Sequence, residues 1–202
     1  MDLLPARWRH TIRRFSCVLL TGSALALGAG LGTQEAHAQF LGQDFVSGNA
    51  QGATATGLAS TAVGNTATAS GEGSTALGNT ATASVFASTA VGHFSTASGL
   101  QSTAVGRGAM ASDSDTTAIG QASEASGRRS TAIGQESEAS GSNSTALGQF
   151  STASGIASTA LGQASTASAE GSTALGNTAT ASVFASTAVG HFSTASGLQS
   201  TA

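Results

Sequence analysis

The sequence lacks the residues that usually build a globular core. Among its 202 residues there is no tyrosine, one tryptophan and only 4% aromatic residues. Protein interiors pack large side chains at the density of organic crystals, so this composition excludes a conventional globule. Chains rich in glycine and serine are often linkers, but disorder usually accompanies low hydropathy and high net charge. Here only 8% of residues are charged and the mean hydropathy is +0.11, so composition leaves both a linker and a thin-cored fold open.

Lysine is absent, and the main cluster of arginines marks an export signal. Four arginines between Arg7 and Arg14 precede the apolar segment VLLTGSALALGAGLG, and AHA at 36–38 fits a cleavage site before Gln39. This order of basic, apolar and small residues is that of a secretory signal peptide. The apolar run is too short and too rich in glycine for a membrane-spanning helix. Residues 1–38 are therefore predicted to be a signal peptide.

Removal of this leader excludes two further features. The single cysteine, Cys17, leaves with it, so the exported chain has no disulfide to stabilise it. The remaining chain carries Arg107, Arg128 and Arg129 against eight carboxylates, a net charge of −5 (3 − 8). Nucleic-acid binding usually needs a basic surface, so no nucleic-acid partner is expected.

What the sequence does contain is a strict tandem repeat. The motif STAVG, or a close variant, begins at residue 60, recurs at every fourteenth position up to residue 186, and starts again at 200. A period kept without insertion or deletion is typical of a solenoid, in which each repeat forms one coil. The repeats are assigned to 58–202 and a short cap region to 39–57, with regular β-structure starting near residue 53.

Comparing the coils position by position predicts an inside and an outside. With Ser60 as position 1, positions 1, 3 and 5 are always small, whereas positions 2 and 4 hold threonine and an aliphatic residue. Alternate residues of a strand point to opposite faces, so the small face is expected inside. A second short strand, such as ATAS at 67–70, and two turns complete the coil. The pattern predicts a flat all-β roll whose ten coils, about 4.8 Å apart, span roughly 50 Å.

Position 4 forms a continuous aliphatic column. An exposed stripe of this length is an aggregation hazard unless another surface covers it, and closed symmetry lets identical chains do so. The sequence therefore predicts an obligate homo-oligomer, without fixing the number of chains. The column comprises Val63, Leu77, Val91, Val105, Ile119, Ile133, Leu147, Leu161, Leu175 and Val189.

Tandem coils of the form STALGNTATASG after a signal peptide resemble the head repeats of YadA-like trimeric autotransporter adhesins. The resemblance covers about 58–202 and implies a left-handed parallel β-roll assembled as a homotrimer. Small residues such as Ser74, Ala76 and Gly78 would fill each roll, and aliphatic residues such as Leu77 would meet at the trimer interface. Family members continue into a coiled-coil stalk and a C-terminal anchor in the outer membrane of a Gram-negative bacterium. Since this sequence stops within a coil at Ala202, a fragment or a truncated product is expected. The exported chain is expected at the cell surface, in the outer membrane, or, if it is truly truncated, in secreted or periplasmic form.

No constellation for catalysis or metal binding is found. His93 and His191 occupy the same turn position seven coils apart, about 34 Å at the expected spacing, so they cannot share a metal ion. Serine is so frequent that a pairing of serine with histidine carries no information about catalysis. We expect neither an enzyme nor a cofactor.

Exposed turn residues are the candidates for binding a partner. They are Phe86, His93, Phe94, Arg128, Arg129, Phe150, Phe184, His191 and Phe192. Exposed aromatic residues anchor protein partners, and repetition lets weak contacts gain by avidity. The alternatives are that the phenylalanines pack over neighbouring coils or between chains, and that the charges only solubilise the rod.

The resemblance implies an adhesin head that binds host extracellular matrix, surfaces or other cells, with roles in autoagglutination, biofilm formation and virulence. One alternative is a spacer that projects a distal binding domain. Another is an ice-binding solenoid, suggested by the threonine rank that includes Thr61, Thr75 and Thr89. Segments 72–104 and 170–202 are identical in sequence, and their offset corresponds to seven whole coils. Whole coils have therefore been duplicated, which keeps the repeat in register.

Overall fold

The computed structural model describes residues 39–41 and 52–202, so the predicted signal peptide and most of the cap region lie outside the described residues. Within them the chain forms 22 short strands in two sheets of eleven, and both sheets lie in the compact unit Glu35–Ala202. The fold is an all-β parallel β-solenoid with one three-residue and one two-residue strand in each coil, as the sequence predicts.

The first sheet contains the odd-numbered strands. They are β1 (Gln39–Leu41), β3 (Thr61–Val63), β5 (Thr75–Leu77), β7 (Thr89–Val91), β9 (Thr103–Val105), β11 (Thr117–Ile119), β13 (Thr131–Ile133), β15 (Thr145–Leu147), β17 (Thr159–Leu161), β19 (Thr173–Leu175) and β21 (Thr187–Val189).

The second sheet contains the even-numbered strands. They are β2 (Thr54–Ala55), β4 (Thr68–Ala69), β6 (Thr82–Ala83), β8 (Thr96–Ala97), β10 (Met110–Ala111), β12 (Glu124–Ala125), β14 (Glu138–Ala139), β16 (Thr152–Ala153), β18 (Thr166–Ala167), β20 (Thr180–Ala181) and β22 (Thr194–Ala195).

All pairings within these sheets are parallel and, with one exception, join equivalent positions of successive coils. Thr75 pairs with Thr89, for example, and Thr145 with Thr159. Strand β1 is the exception, because Gln39 pairs with Thr61 across an interval longer than one coil. The regular ladder of coils begins with β2 at Thr54, as expected near residue 53. Strand β1 lies earlier, within the segment assigned to the cap, and was not expected.

The interior of the solenoid is built almost entirely from alanine and serine. Positions 3 and 10, represented by Ala146 and Ala153, are fully buried alanines in successive coils. Positions 1 and 8 supply the remaining buried side chains, mostly serine. Two sheets can approach this closely only where side chains are small, and the largest residue at these positions is Thr116.

Most of the buried hydroxyl groups bond within their own turn. The Ser102 hydroxyl donates to the Gly99 carbonyl at 2.7 Å, and the Ser151 hydroxyl donates to the Gly148 carbonyl at 2.9 Å. The same bond to the carbonyl three residues earlier recurs at both serine positions along the solenoid. A buried hydroxyl without a partner is costly, so this local bond stabilises a polar side chain in the core wherever it forms. Four buried hydroxyls do not form it, those of Ser74, Ser130, Ser144 and Ser158.

Position 5 belongs to a turn and does not fill the roll. Gly78 is only partly buried and has a φ of +136°, and a Cβ atom there would lie 2.5 Å from the carbonyl oxygen of Gly92. The expectation that Gly78 fills the interior beside Ser74 and Ala76 was therefore wrong, although both of those residues are fully buried. Glycine is required at this position because each turn stacks directly on the turn of the next coil.

Candidate interaction surfaces

The aliphatic column lies along the outer face of the first sheet, at the last residue of each odd-numbered strand from β3 onward. Each of its ten residues is half-buried or exposed in the single chain, and Val189 reaches 52% exposure. Neighbouring residues stack in register, as Ile133 does between Ile119 and Leu147. The structure thus presents a continuous apolar stripe, bordered by the half-buried threonines of position 2. No described residue of the chain covers it.

One edge of the solenoid consists of the turns at positions 5 to 8, which we call the first-turn edge. Five of the nine predicted contact residues lie on it, all exposed: His93, Phe94, Phe150, His191 and Phe192. In each duplicated copy the histidine and phenylalanine rings pack together. Their ring centroids are 4.1 Å apart at His93–Phe94 and 4.0 Å apart at His191–Phe192.

Between the two aromatic pairs, the first-turn edge carries a ladder of amide side chains. The Gln149 amide donates to Gln135 at 3.1 Å, the Gln163 amide donates to Gln149 at 3.2 Å, and Asn177 donates to Gln163 at 3.0 Å. Such ladders form when identical amides stack at the strand spacing. The amides therefore bond to one another along the edge and reinforce its register between the two aromatic pairs.

The opposite edge consists of the turns at positions 11 to 14, which we call the second-turn edge. It carries the other four predicted contact residues, Phe86, Arg128, Arg129 and Phe184, all of them exposed. The structure therefore does not bring the nine candidates together at one place but divides them between two opposite edges.

Comparisons with known proteins identify the family. The model of the YadA head domain repeat matches residues 55–84, 86–109, 97–123, 111–137, 125–151, 139–165, 153–179 and 185–202. These stretches cover well over half of the sequence. The chain belongs to the YadA head domain repeat family. The repeats that carry the match are the same coils that form the solenoid.

One solved structure similar to this head-repeat chain is that of the collagen-binding domain of the Yersinia adhesin YadA. The two share 24% sequence identity with a TM-score of 0.43, and the match covers 81% of this chain and 78% of the other. A search among curated protein sequences found no match to the chain.

The second-turn edge of this head also exposes aliphatic residues that the sequence analysis did not single out. At position 13 these are Leu58, Leu100, Ile156 and Leu198, with exposures between 43% and 69%. They were missed because the glycine, asparagine and charged residues around them mark a turn, and turns are usually polar. Their shared position, 13, is the signal in the sequence that could have identified them.

The outer face of the second sheet is mainly a rank of half-buried threonines at position 9, interrupted by Met110, Glu124 and Glu138, which are exposed. Glu124 and Glu138 are direct neighbours in the parallel ladder. Among the described residues of the YadA head repeats, no group of three histidine, cysteine, aspartate or glutamate side chains could hold a metal ion. Within the same residues, no helix is long and apolar enough to cross a membrane.

Proposed function

We propose that the chain is the head of a homotrimeric bacterial cell-surface adhesin that binds host extracellular matrix, other surfaces or other cells through its exposed turns. The observation that carries this proposal is the pair of equivalent His–Phe ring contacts, displayed seven coils apart on the first-turn edge. Two equal sites on one rigid scaffold bind a repetitive or dense target with higher avidity than one site. Membership of the YadA head-repeat family supports the adhesin class.

The aliphatic column is the proposed trimer interface. It is a continuous apolar stripe, and charged residues never occupy its positions, whereas Glu124 and Glu138 occupy position 9 of the second sheet. Three copies related by a closed rotation would bury all three stripes around one axis without leaving an open end. The proposed function thus requires assembly before binding, because the isolated chain leaves this stripe in water.

Replacement Leu147→Asp is expected to abolish the trimer. Threefold symmetry would place three carboxylates together in the apolar centre, and an unpaired buried charge costs about 3–5 kcal/mol. Light scattering of the purified chain is expected to show loss of the trimer mass. The control Thr152→Asp changes position 9, where glutamate already occurs, and is expected to leave the mass unchanged. A trimer of unchanged mass and stability in the Leu147→Asp protein would contradict the proposed interface.

Adhesion is tested by exchanging the aromatic pairs for residues that the chain itself uses at the same positions. The fourfold variant His93→Asn, Phe94→Thr, His191→Asn, Phe192→Thr copies Asn65–Thr66 and therefore preserves the turn. We expect beads coated with this protein to bind collagen-coated or cell-coated surfaces at least about tenfold less than the parent, because both proposed sites are removed.

Two matched variants complete this experiment. Removal of one aromatic pair is expected to give intermediate binding, and Asn65→His with Thr66→Phe, which adds a third pair, is expected to increase it. If the fourfold variant adheres as well as the parent, the aromatic pairs are not the binding sites. If the parent adheres to none of these surfaces, the head functions as a spacer and the proposed function is wrong.

A further inference from the structure

The middle of the second-turn edge carries opposite charges in successive turns. Asp113 and Asp115 lie in one turn, and Arg128 and Arg129 lie in the corresponding turn of the next coil, all four exposed. The ion pair between the two turns is long, with Arg129 Nε 3.9 Å from the Asp115 carboxylate, and the Asp113 carboxylate accepts a hydrogen bond from the Ser114 amide at 2.6 Å. Most of the charge in both turns thus remains available to a partner.

On both sides of these charged turns, position 13 of the same edge is mostly apolar, whereas position 11 holds serine. Towards the start of the chain it exposes Leu58, Phe86 and Leu100, and towards the end it exposes Ile156, Phe184 and Leu198. Turns with Glu72 and Glu170 interrupt the two apolar groups at equivalent places. Along the solenoid, the second-turn edge thus carries a group of apolar side chains, the acidic turn, the basic turn and a second group of apolar side chains.

We propose that this edge pairs with the same edge of a second copy of the chain that runs antiparallel to it. The twofold axis passes between the acidic and the basic turn. A twofold contact brings one surface against itself, so it must be self-complementary. About this axis the aspartates of each copy lie opposite the arginines of the other, and the favourable charge contact occurs twice.

The same register also matches the apolar residues. Phe86 of each copy lies opposite Ile156 of the other, and Leu58 lies opposite Phe184. Leu100 meets Ser142, which is neutral, and Glu72 meets Glu170, an exposed like-charge pair whose cost is small.

Other arrangements are less favourable. If the antiparallel pairing is shifted by one coil, aspartates face aspartates or arginines face arginines, depending on the direction of the shift. In a parallel arrangement without a shift, both of these repulsive contacts occur. A parallel arrangement shifted by one coil sets aspartates against arginines only once, whereas the proposed antiparallel register does so twice. The charge pattern therefore favours the antiparallel direction and this register.

The second-turn edge remains accessible when the aliphatic column is covered. Position 4 borders the first turn, whereas the second turn joins the opposite end of the same strand, at position 1. Heads that project from one cell run parallel to each other, and heads from two facing cells run antiparallel. If the proposed function holds, the partner is therefore a head on an opposing cell, and the edge promotes contact between cells.

A charge exchange tests the pairing on the purified full chain. In the acidic variant Arg128→Glu and Arg129→Glu, and in the basic variant Asp113→Arg and Asp115→Arg, both turns carry the same sign. We expect the parent to associate reversibly into pairs of trimers by sedimentation, and each variant alone to associate at least about tenfold more weakly. An equimolar mixture of the two variants is expected to regain association, since acidic and basic edges then face each other.

A cross-linking experiment tests direction and register independently of charge. A mixture of Leu58→Cys and Phe184→Cys proteins is expected to form disulfides between positions 58 and 184 on oxidation. Cross-links only between identical positions would indicate a parallel arrangement and overturn the proposal.

The proposal also fails if the parent does not associate, if the charge variants associate like the parent, or if their mixture does not recover. The control pair Arg107→Glu and Glu136→Arg on the first-turn edge is expected to associate like the parent. Adhesion to collagen, measured on the same variants, distinguishes failure of this pairing from failure of the adhesin function, because the His–Phe pairs are unchanged.

Discussion

Replacement of Gly106 by alanine is expected to destabilise the solenoid by about 3 kcal/mol or more. Gly106 has a φ of +137°, and a Cβ atom there would lie 2.2 Å from the carbonyl oxygen of Gly120 in the next coil. That oxygen belongs to a backbone held by its neighbours on both sides, so it cannot move away without breaking the stack. Thermal unfolding followed by circular dichroism should show a large decrease in the melting temperature.

Gly108 offers a control within the same turn. Its φ is +66°, and a Cβ atom built on it meets no other atom within 4 Å. Position 7 already holds alanine at Ala122 and Ala164, both with positive φ. Gly108→Ala is therefore expected to cost only the left-handed backbone penalty, about 1–2 kcal/mol. Equal effects of the Gly106→Ala and Gly108→Ala changes would show that contact between coils does not determine the requirement for glycine at position 5.

Replacement Ala146→Leu is expected to destabilise the solenoid at least as much as Gly106→Ala, by overfilling its interior. Ala146 is fully buried and lies between Ala132 and Ala160 in the first sheet. Overpacking a core usually costs about 1–3 kcal/mol because neighbouring side chains shift. In this interior the neighbours are alanines, which have no side-chain rotamers, and serines, whose side chains are too short to make room by rotating, so we expect a loss above that range. Denaturant unfolding of the purified chain measures the change.

Ala164→Leu is the matched control for this substitution. Position 7 accepts phenylalanine at Phe94, Phe150 and Phe192, so a leucine there points away from the core. We expect its midpoint of unfolding to stay close to that of the parent. If Ala146→Leu unfolded at the parent's denaturant concentration, the interior would be wider than the structure shows.

Much of this fold could be predicted because the repeats of the chain can be aligned with one another. Ten coils in one register reveal which positions never accept a large side chain, and the structure confirms alanine and serine at positions 1, 3, 8 and 10 as the core. The period also fixes the strand partners, since a solenoid repeats its contacts at the same interval as its sequence.

The features that could not be predicted are those that do not follow the period or that depend on backbone geometry. Strand β1 pairs with β3 across an interval that is not one coil, so no repeat indicated this pairing. Position 5 is as small as positions 1 and 3, and only its φ and the adjacent carbonyl oxygen distinguish a turn from a core position. Leu100 and Ile156 were not identified because each is a single apolar residue in a polar turn. They form part of one surface only when the coils are stacked.

The hydrogen bonds between coils determine how the head responds to a mechanical pull. They run along the solenoid, and even the turns take part, since the Gly92 amide donates to the Leu77 carbonyl at 2.8 Å and the Phe94 amide to the Asn79 carbonyl at 3.0 Å. Tension applied to the ends of a single chain acts along these bonds, so they break in sequence and coils open one at a time. Each opened coil replaces about 4.8 Å of solenoid with roughly 46–50 Å of extended chain. The stacking that makes the head rigid thus also lets it extend. The extension occurs in equal steps, one for each coil that opens when the force exceeds its resistance.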